Sequence, residues 1–179
     1  SVVGRLFWDA AVAALMTDVA GSAGGAEAAV TVGQTQVRAA LDVIGERELV
    51  FRRAQSAFQG TDEYIFKHAI LRDVTYETVL LKLRRIYHGQ TARWLEANAG
   101  ERLGEYLGLI AGHYELAGEV IRAAEYLMRS GEAARAVSDY YDAIAAFERA
   151  LALLPDEDRE HRLILFVHLG YAERQVSAA

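Results

Sequence analysis

The sequence predicts a mainly α fold with one small β-hairpin before its midpoint. Three observations carry this. Apolar residues recur at helical spacing over most of the 179 residues. Only one proline, Pro155, is present to break that pattern. Two short stretches, Leu49–Arg53 and Glu63–Lys67, alternate with period two instead. The length allows one large domain or two small ones, with room for a proper core.

The first helix is predicted over Phe7–Met16, where Trp8, Ala11, Val12 and Leu15 form one buried stripe. "GSAGG" (Gly21–Gly25) is a flexible break within a glycine-containing insert, Asp18–Gly33. The second helix is predicted over Thr35–Glu46, with Val37, Ala40, Leu41 and Ile44 on one face. In "LVFRR", Leu49 and Phe51 share one side and Val50 and Arg52 the other. "EYIFK" alternates likewise, and the polar "AQSAFQGTD" between them predicts a loose hairpin tip. Helix, helix, hairpin is the order of a winged-helix domain, with the hairpin as wing. Tyr64 and Phe66 are expected on its core. A helix over His68–Val79 follows, with Ile70, Leu71 and Val74 against the next helix, Leu80–Ala97. That helix shows Leu80, Leu83, Tyr87, Thr91 and Trp94 as a seam.

From Gly104 onward the pattern is helical pairs at tetratricopeptide spacing. The best copy begins near Ala124. Its packing positions are Leu127, Gly131, Ala143, Phe147, Ala150 and Pro155. Gly131 is small where two helices cross, Phe147 fills the gap, and Pro155 closes the second helix. Asp139 is placed as N-cap, with Asp142 in the first turn. Leu107, Ile110, Ala111 and Tyr114, then Ala123 and Leu127, form an imperfect earlier pair. The final helix, about Asp158–Val176, carries Phe166, Leu169 and Gly170 and has no partner helix after it. Repeats do not bury their apolar faces alone, so further repeats beyond Ala179 are expected. The predicted layout is a winged-helix-like domain over 1–79, a connecting helix over 80–103 and repeats over 104–179, the start of an α-solenoid.

Composition narrows the function. Cysteine is absent, which fits a reducing, cytoplasmic setting. No apolar run approaches the length of a membrane span. The start lacks an initiator Met and a basic leader, which predicts a piece of a longer chain without a signal peptide. The net charge of -6 argues against a dedicated nucleic-acid binder. The stretch Arg47–Arg93 nevertheless carries an excess of four positive charges.

Catalytic motifs are missing. No G-x-x-x-x-G-K-S/T phosphate loop surrounds Lys67 or Lys82, and neither H-E-x-x-H nor G-x-S-x-G occurs. His161 and His168 are seven apart and can share a helix face, yet no third zinc ligand has suitable spacing. Lys67, His68, Arg72 and Asp73 crowd one junction. A neutral His68 near a carboxylate has the makings of a general base, but no nucleophile lies nearby. The structural reading is preferred: His68, Arg72, Asp73 and Tyr76 form a joint, with His68 bonded to backbone and Asp73 paired to an arginine. Tyr126, Tyr140 and Tyr141 are assigned to packing rather than to a groove. Lys82, Arg84 and Arg85, with Arg52 and Arg53 on the wing, suit phosphate contacts. However, "TQVRAALDVIGERE", the helix placed to enter the major groove, mixes charges and offers few base-reading side chains.

"VVGRLFWDAAVAAL", "ELVFRRAQSAFQGTDEYIFKHAILRDVTYETVL", "LRRIYHGQTARWLE" and "AAFERALALLP" together resemble bacterial signalling ATPases of the STAND class. Many of these are adenylate or guanylate cyclase-like proteins or transcriptional regulators. The specific motif is "FKHAILRDVTY", matched at Phe66, His68, Ala69, Leu71, Asp73, Val74 and Tyr76. The resemblance implies an AAA-type NTPase core ahead of a winged-helix unit and tetratricopeptide repeats. The Walker motifs and any cyclase domain are absent from these residues. ATP and Mg are therefore expected only on the parent's NTPase domain, and no cofactor or catalysis here. The resemblance further implies that the winged-helix unit restrains the NTPase and that the repeats sense a protein or peptide. Arg52, Arg53, Arg84 and Arg85 are then expected to face the NTPase core. DNA binding by the winged-helix part, as in a transcriptional regulator, is the alternative; no membrane partner is expected.

Overall fold

The structure, a computed structural model, describes the backbone of residues 1–17 and 26–178 and the side chains of 1–16 and 33–178. The break at Gly21–Gly25 lies outside the described residues. The described chain is mainly helical with one small sheet, and it divides into two compact units, Ser1–Asn98 and Ala99–Ala179. The division falls inside the stretch 80–103, set apart above as a connecting helix.

The first unit holds β1 (Leu6–Trp8), α1 (Asp9–Thr17), α2 (Ala26–Glu46), β2 (Val50–Arg52), β3 (Glu63–Phe66), α3 (Ala69–Thr78) and most of α4 (Leu81–Ala99). The sheet is antiparallel in the order β1-β3-β2, with Leu6 opposite Ile65 and Val50 opposite Phe66. Three strands replace the predicted two. Phe7 and Trp8 belong to β1 rather than to the first helix. Trp8 is buried either way, so apolar spacing alone did not reveal where the strand ends. α2 begins at Ala26 rather than Thr35, inside the supposed insert. Of the two sides of β2, Val50 is buried and Phe51 exposed.

The tip between β2 and β3 is not loose. Phe58 is buried and packs edge-on against Trp8 and Trp94, at centroid distances of 4.8 and 5.0 Å. The Ser56 and Thr61 hydroxyls meet at 2.9 Å across the loop. Tyr64 stacks on Phe7 at 5.8 Å, and Phe66 tilts against it at 5.3 Å. Both predicted wing aromatics therefore join the core side of the sheet.

α3 packs poorly. It has no fully buried residue, and Ile70 and Val74 are exposed instead of covered by the next helix. Only Leu71 of the predicted trio is half-buried. On α4 the buried stripe is His88, Thr91, Ala92 and Leu95, while Leu80 ahead of the helix is exposed. The predicted seam is thus rotated by about one residue.

The second unit holds α5 (Leu103–Ala117), α6 (Val120–Ala136), α7 (Tyr140–Leu153) and α8 (Arg159–Ser177). Each packs on the next. Gly118 closes α5 at φ 84°, where a side chain would be strained, and its N–H donates to the Glu115 carbonyl. Asp139 caps α7 through the Asp142 N–H at 3.2 Å, and Asp158 caps α8 through that of His161 at 3.3 Å. Leu107, Ile110, Ala111, Tyr114 and Ala123 are all buried.

Candidate functional site

The junction from β3 into α3 is made by backbone. His68 is the N-cap in extended conformation (φ -126°, ψ 136°), and its carbonyl accepts from Leu71 N–H at 3.1 Å. Its imidazole is exposed and makes no capping bond. The predicted histidine-to-backbone bond is absent because the extended turn leaves the ring in solvent. Arg72 turns away from it. Its Nη1 donates to Asp73 at 2.9 Å and its Nε to the Ser1 carbonyl at 3.2 Å. Tyr76 sits between two guanidiniums, Arg72 at 5.0 Å and Arg84 at 4.5 Å from the ring centre. Its hydroxyl meets Nε2 of buried His88 at 3.0 Å. Arg84 also donates to the Val79 and Glu77 carbonyls at 2.7 and 2.8 Å, satisfying the end of α3. The joint therefore runs through Arg72, Tyr76, Arg84 and His88.

Two buried carboxylates organise the other end of this unit, and neither stood out in the sequence. Asp9 is fully buried at the start of α1. It accepts from the N–H groups of Ala10 at 2.7 Å and Asp62 at 2.8 Å, from Gln34 at 3.1 Å, and from Arg38. Glu63 accepts from the Trp8 indole at 2.9 Å, Ala57 N–H at 3.0 Å and Arg53 at 2.6 Å. The signal was available: a tryptophan indole and a helix start both need an acceptor. With so many donors, both carboxylates act as clamps on the strand and the β2–β3 loop.

Three of the four arginines expected to face a partner have partners within the unit. Arg52 pairs with Asp62 at 2.6 Å, Arg53 with Glu63, and Arg84 with the end of α3. Arg85 and Lys82 are exposed on α4.

In the second unit, Leu127, Gly131, Ala143, Phe147 and Ala150 are all buried. Pro155 is exposed and stops α7 rather than packing. Tyr141 is exposed as well, against its assignment to packing; its ring projects from the first turn of α7. Tyr126 lies 5.8 Å from Tyr114, whose hydroxyl accepts from Arg122 at 2.7 Å.

His161 and His168 do not converge on a metal site. The His168 ring packs 5.3 Å from Phe147, while His161 Nδ1 bonds Asp158 at 2.8 Å. No group of three potential ligands gathers among the described residues. The bond to Asp158, more than its charge, raises the His161 pKa above the ordinary 6.5, and the same bond lowers Asp158 below 3.8. The His161 contribution to stability is complete below pH 6.5 and fades as pH rises through the raised folded value. The Asp158 contribution is present above pH 3.8 and fades as acid reaches its lowered value. A proton NMR titration should place the His161 midpoint above 6.5, and Asp158→Asn should bring it down. Equal midpoints in the two proteins would show that the pair does not form in solution.

No family model, curated protein or solved structure matches this chain. No helix among the described residues is long and apolar enough to cross a membrane. Asp9 and Glu63, each with several donors, are arranged to hold elements of the first unit in place.

Proposed function

We propose that this chain is a regulatory and protein-interaction segment of a multidomain signalling NTPase of the STAND class, without catalysis of its own. It comprises a winged-helix-like unit followed by tetratricopeptide-like hairpins. The observation that carries this reading is the element order of the first unit. Two helices precede a hairpin, and a short strand ahead of them, β1, pairs with the hairpin's second strand, β3. Burial of Gly131 against Phe147 at repeat spacing supports the second half of the reading. In this reading the repeats take a protein or peptide partner. The first unit contacts the NTPase core of the same parent, which holds the ATP and Mg, in the cytoplasm. Arg85, exposed and outside the α3 cap, is the arginine best placed for that contact.

The alternative of a DNA-reading wing has less support. Arg38, on the helix before the hairpin, is held by Asp9 and lies 3.3 Å from Asp62. Arg52 and Arg53 are ion-paired as well.

Association tests the reading. Mixed with the parent's NTPase core, the chain should form a complex on size exclusion. Arg85→Glu should weaken the complex and change nucleotide turnover in the full-length parent. No complex, with turnover unaffected, removes the interaction reading. Salt-dependent retention of duplex DNA by the chain would favour the alternative.

A further inference from the structure

We propose that the first unit contains a binding site for a small, neutral, mainly aromatic molecule, in the cavity between α3 and the sheet. The cavity measures about 370 Å³, within the roughly 300–1,000 Å³ typical of small-molecule pockets. Phe7, Val50 and Phe66 of the sheet, Leu41 of α2, and Leu71 and Thr75 of α3 line it. No Asp, Glu, Lys or Arg lines it, and burial lowers the α-amino group of Ser1, the one ionisable group in the lining, from 8.0 to about 6, so above that pH the lining is neutral and favours an uncharged occupant. The Thr75 hydroxyl already donates to the Leu71 carbonyl at 2.7 Å, so its proton is spent within the helix. The Phe7 and Phe66 rings stand 5.3 Å apart at 46°, offering a face and an edge to an aromatic guest.

The way α3 is held explains why the space stays open. No residue of the helix is fully buried. Its ties are polar and lie at its margins: Arg72 to the Ser1 carbonyl, Tyr76 to His88, and Arg84 to the Val79 carbonyl. These fix the height of the helix over the sheet without filling the gap beneath. An apolar guest gains by leaving water in proportion to the area covered. The inference does not depend on the signalling role proposed above.

The test uses the 179-residue chain and N-phenyl-1-naphthylamine, a neutral probe that brightens in apolar surroundings. A saturable rise, reversed by naphthalene, is expected. Leu71→Trp, which fills the cavity, should weaken binding by about tenfold or more, while Val74→Trp on the outer face should not. Thr75→Trp is the second filling variant should Leu71→Trp fail to melt cooperatively. Independently of any variant, naphthalene protons should show nuclear Overhauser contacts to the methyls of Val50 and Leu71. No saturable binding overturns the proposal. So does undiminished binding by a folded filling variant, or contacts confined to Ile70 and Val74.

Discussion

Gly131→Ala should destabilise the second unit by about 1–3 kcal/mol, the reverse of its effect in most helix interiors. Glycine there ordinarily costs about 0.5–1 kcal/mol relative to alanine. Here a Cβ on Gly131 would lie 2.4 Å from one ring carbon of Phe147 and 2.7 Å from another. Phe147 is completely buried, so its ring has nowhere to swing. Gly108 on α5 is the control, since a Cβ there meets nothing within 4 Å. Gly108→Ala should stabilise by about 0.5–1 kcal/mol. Phe147→Ala should cost about 3–5 kcal/mol through the cavity it leaves. The double variant should lose less than the sum of the two singles, because removing the ring relieves the clash. Urea titrations followed by circular dichroism, with amide exchange in α6 and α7, measure all four. If Gly131→Ala and Gly108→Ala proved equally stable, the close crossing of α6 and α7 would be refuted.

The second unit was the more legible in the sequence. Its information is local: periodic apolar positions, Asp139 and Asp158 at helix starts, and Pro155 at a helix end. The first unit depends on pairings across long sequence separations. Trp8 and Glu63 are 55 residues apart and become neighbours only when β1 adds to the sheet. Helical spacing also hid β1, because Trp8 is buried under either assignment. For α3 the pattern identified apolar residues but not what would cover them, and Ile70 and Val74 remain exposed. The crowd at Lys67, His68, Arg72 and Asp73 suggested chemistry because the letters are close. In space Lys67 pairs with Glu48, Arg72 reaches Ser1, and His68 faces solvent. Within the crowd only Arg72 and Asp73 pair, and the Tyr76–His88 bond of the joint spans 12 residues.

Asp9→Ala should cost the first unit about 3–5 kcal/mol. The loss comes mainly from stranded donors. The N–H groups of Ala10 and Asp62 and the amide of Gln34 all lose their acceptor, in a place where Asp9 itself is 0% exposed. The Arg38 pairing adds less, since that side chain is 42% exposed and solvent screens it. Asp9→Asn keeps one acceptor oxygen and should lose less. Arg52→Ala removes an ion pair whose arginine is 62% exposed and should leave stability almost unchanged. Raising the salt should therefore barely narrow the gap between wild type and Asp9→Ala. Both tryptophans, Trp8 and Trp94, lie in this unit and stack at 5.7 Å, so their fluorescence reports its unfolding directly. Should Asp9→Ala unfold within about 1 kcal/mol of wild type, the clamp would not be what fixes β1 and α1 against the β2–β3 loop. If the loss instead vanished at high salt, the Arg38 ion pair, and not the buried donors, would be its source.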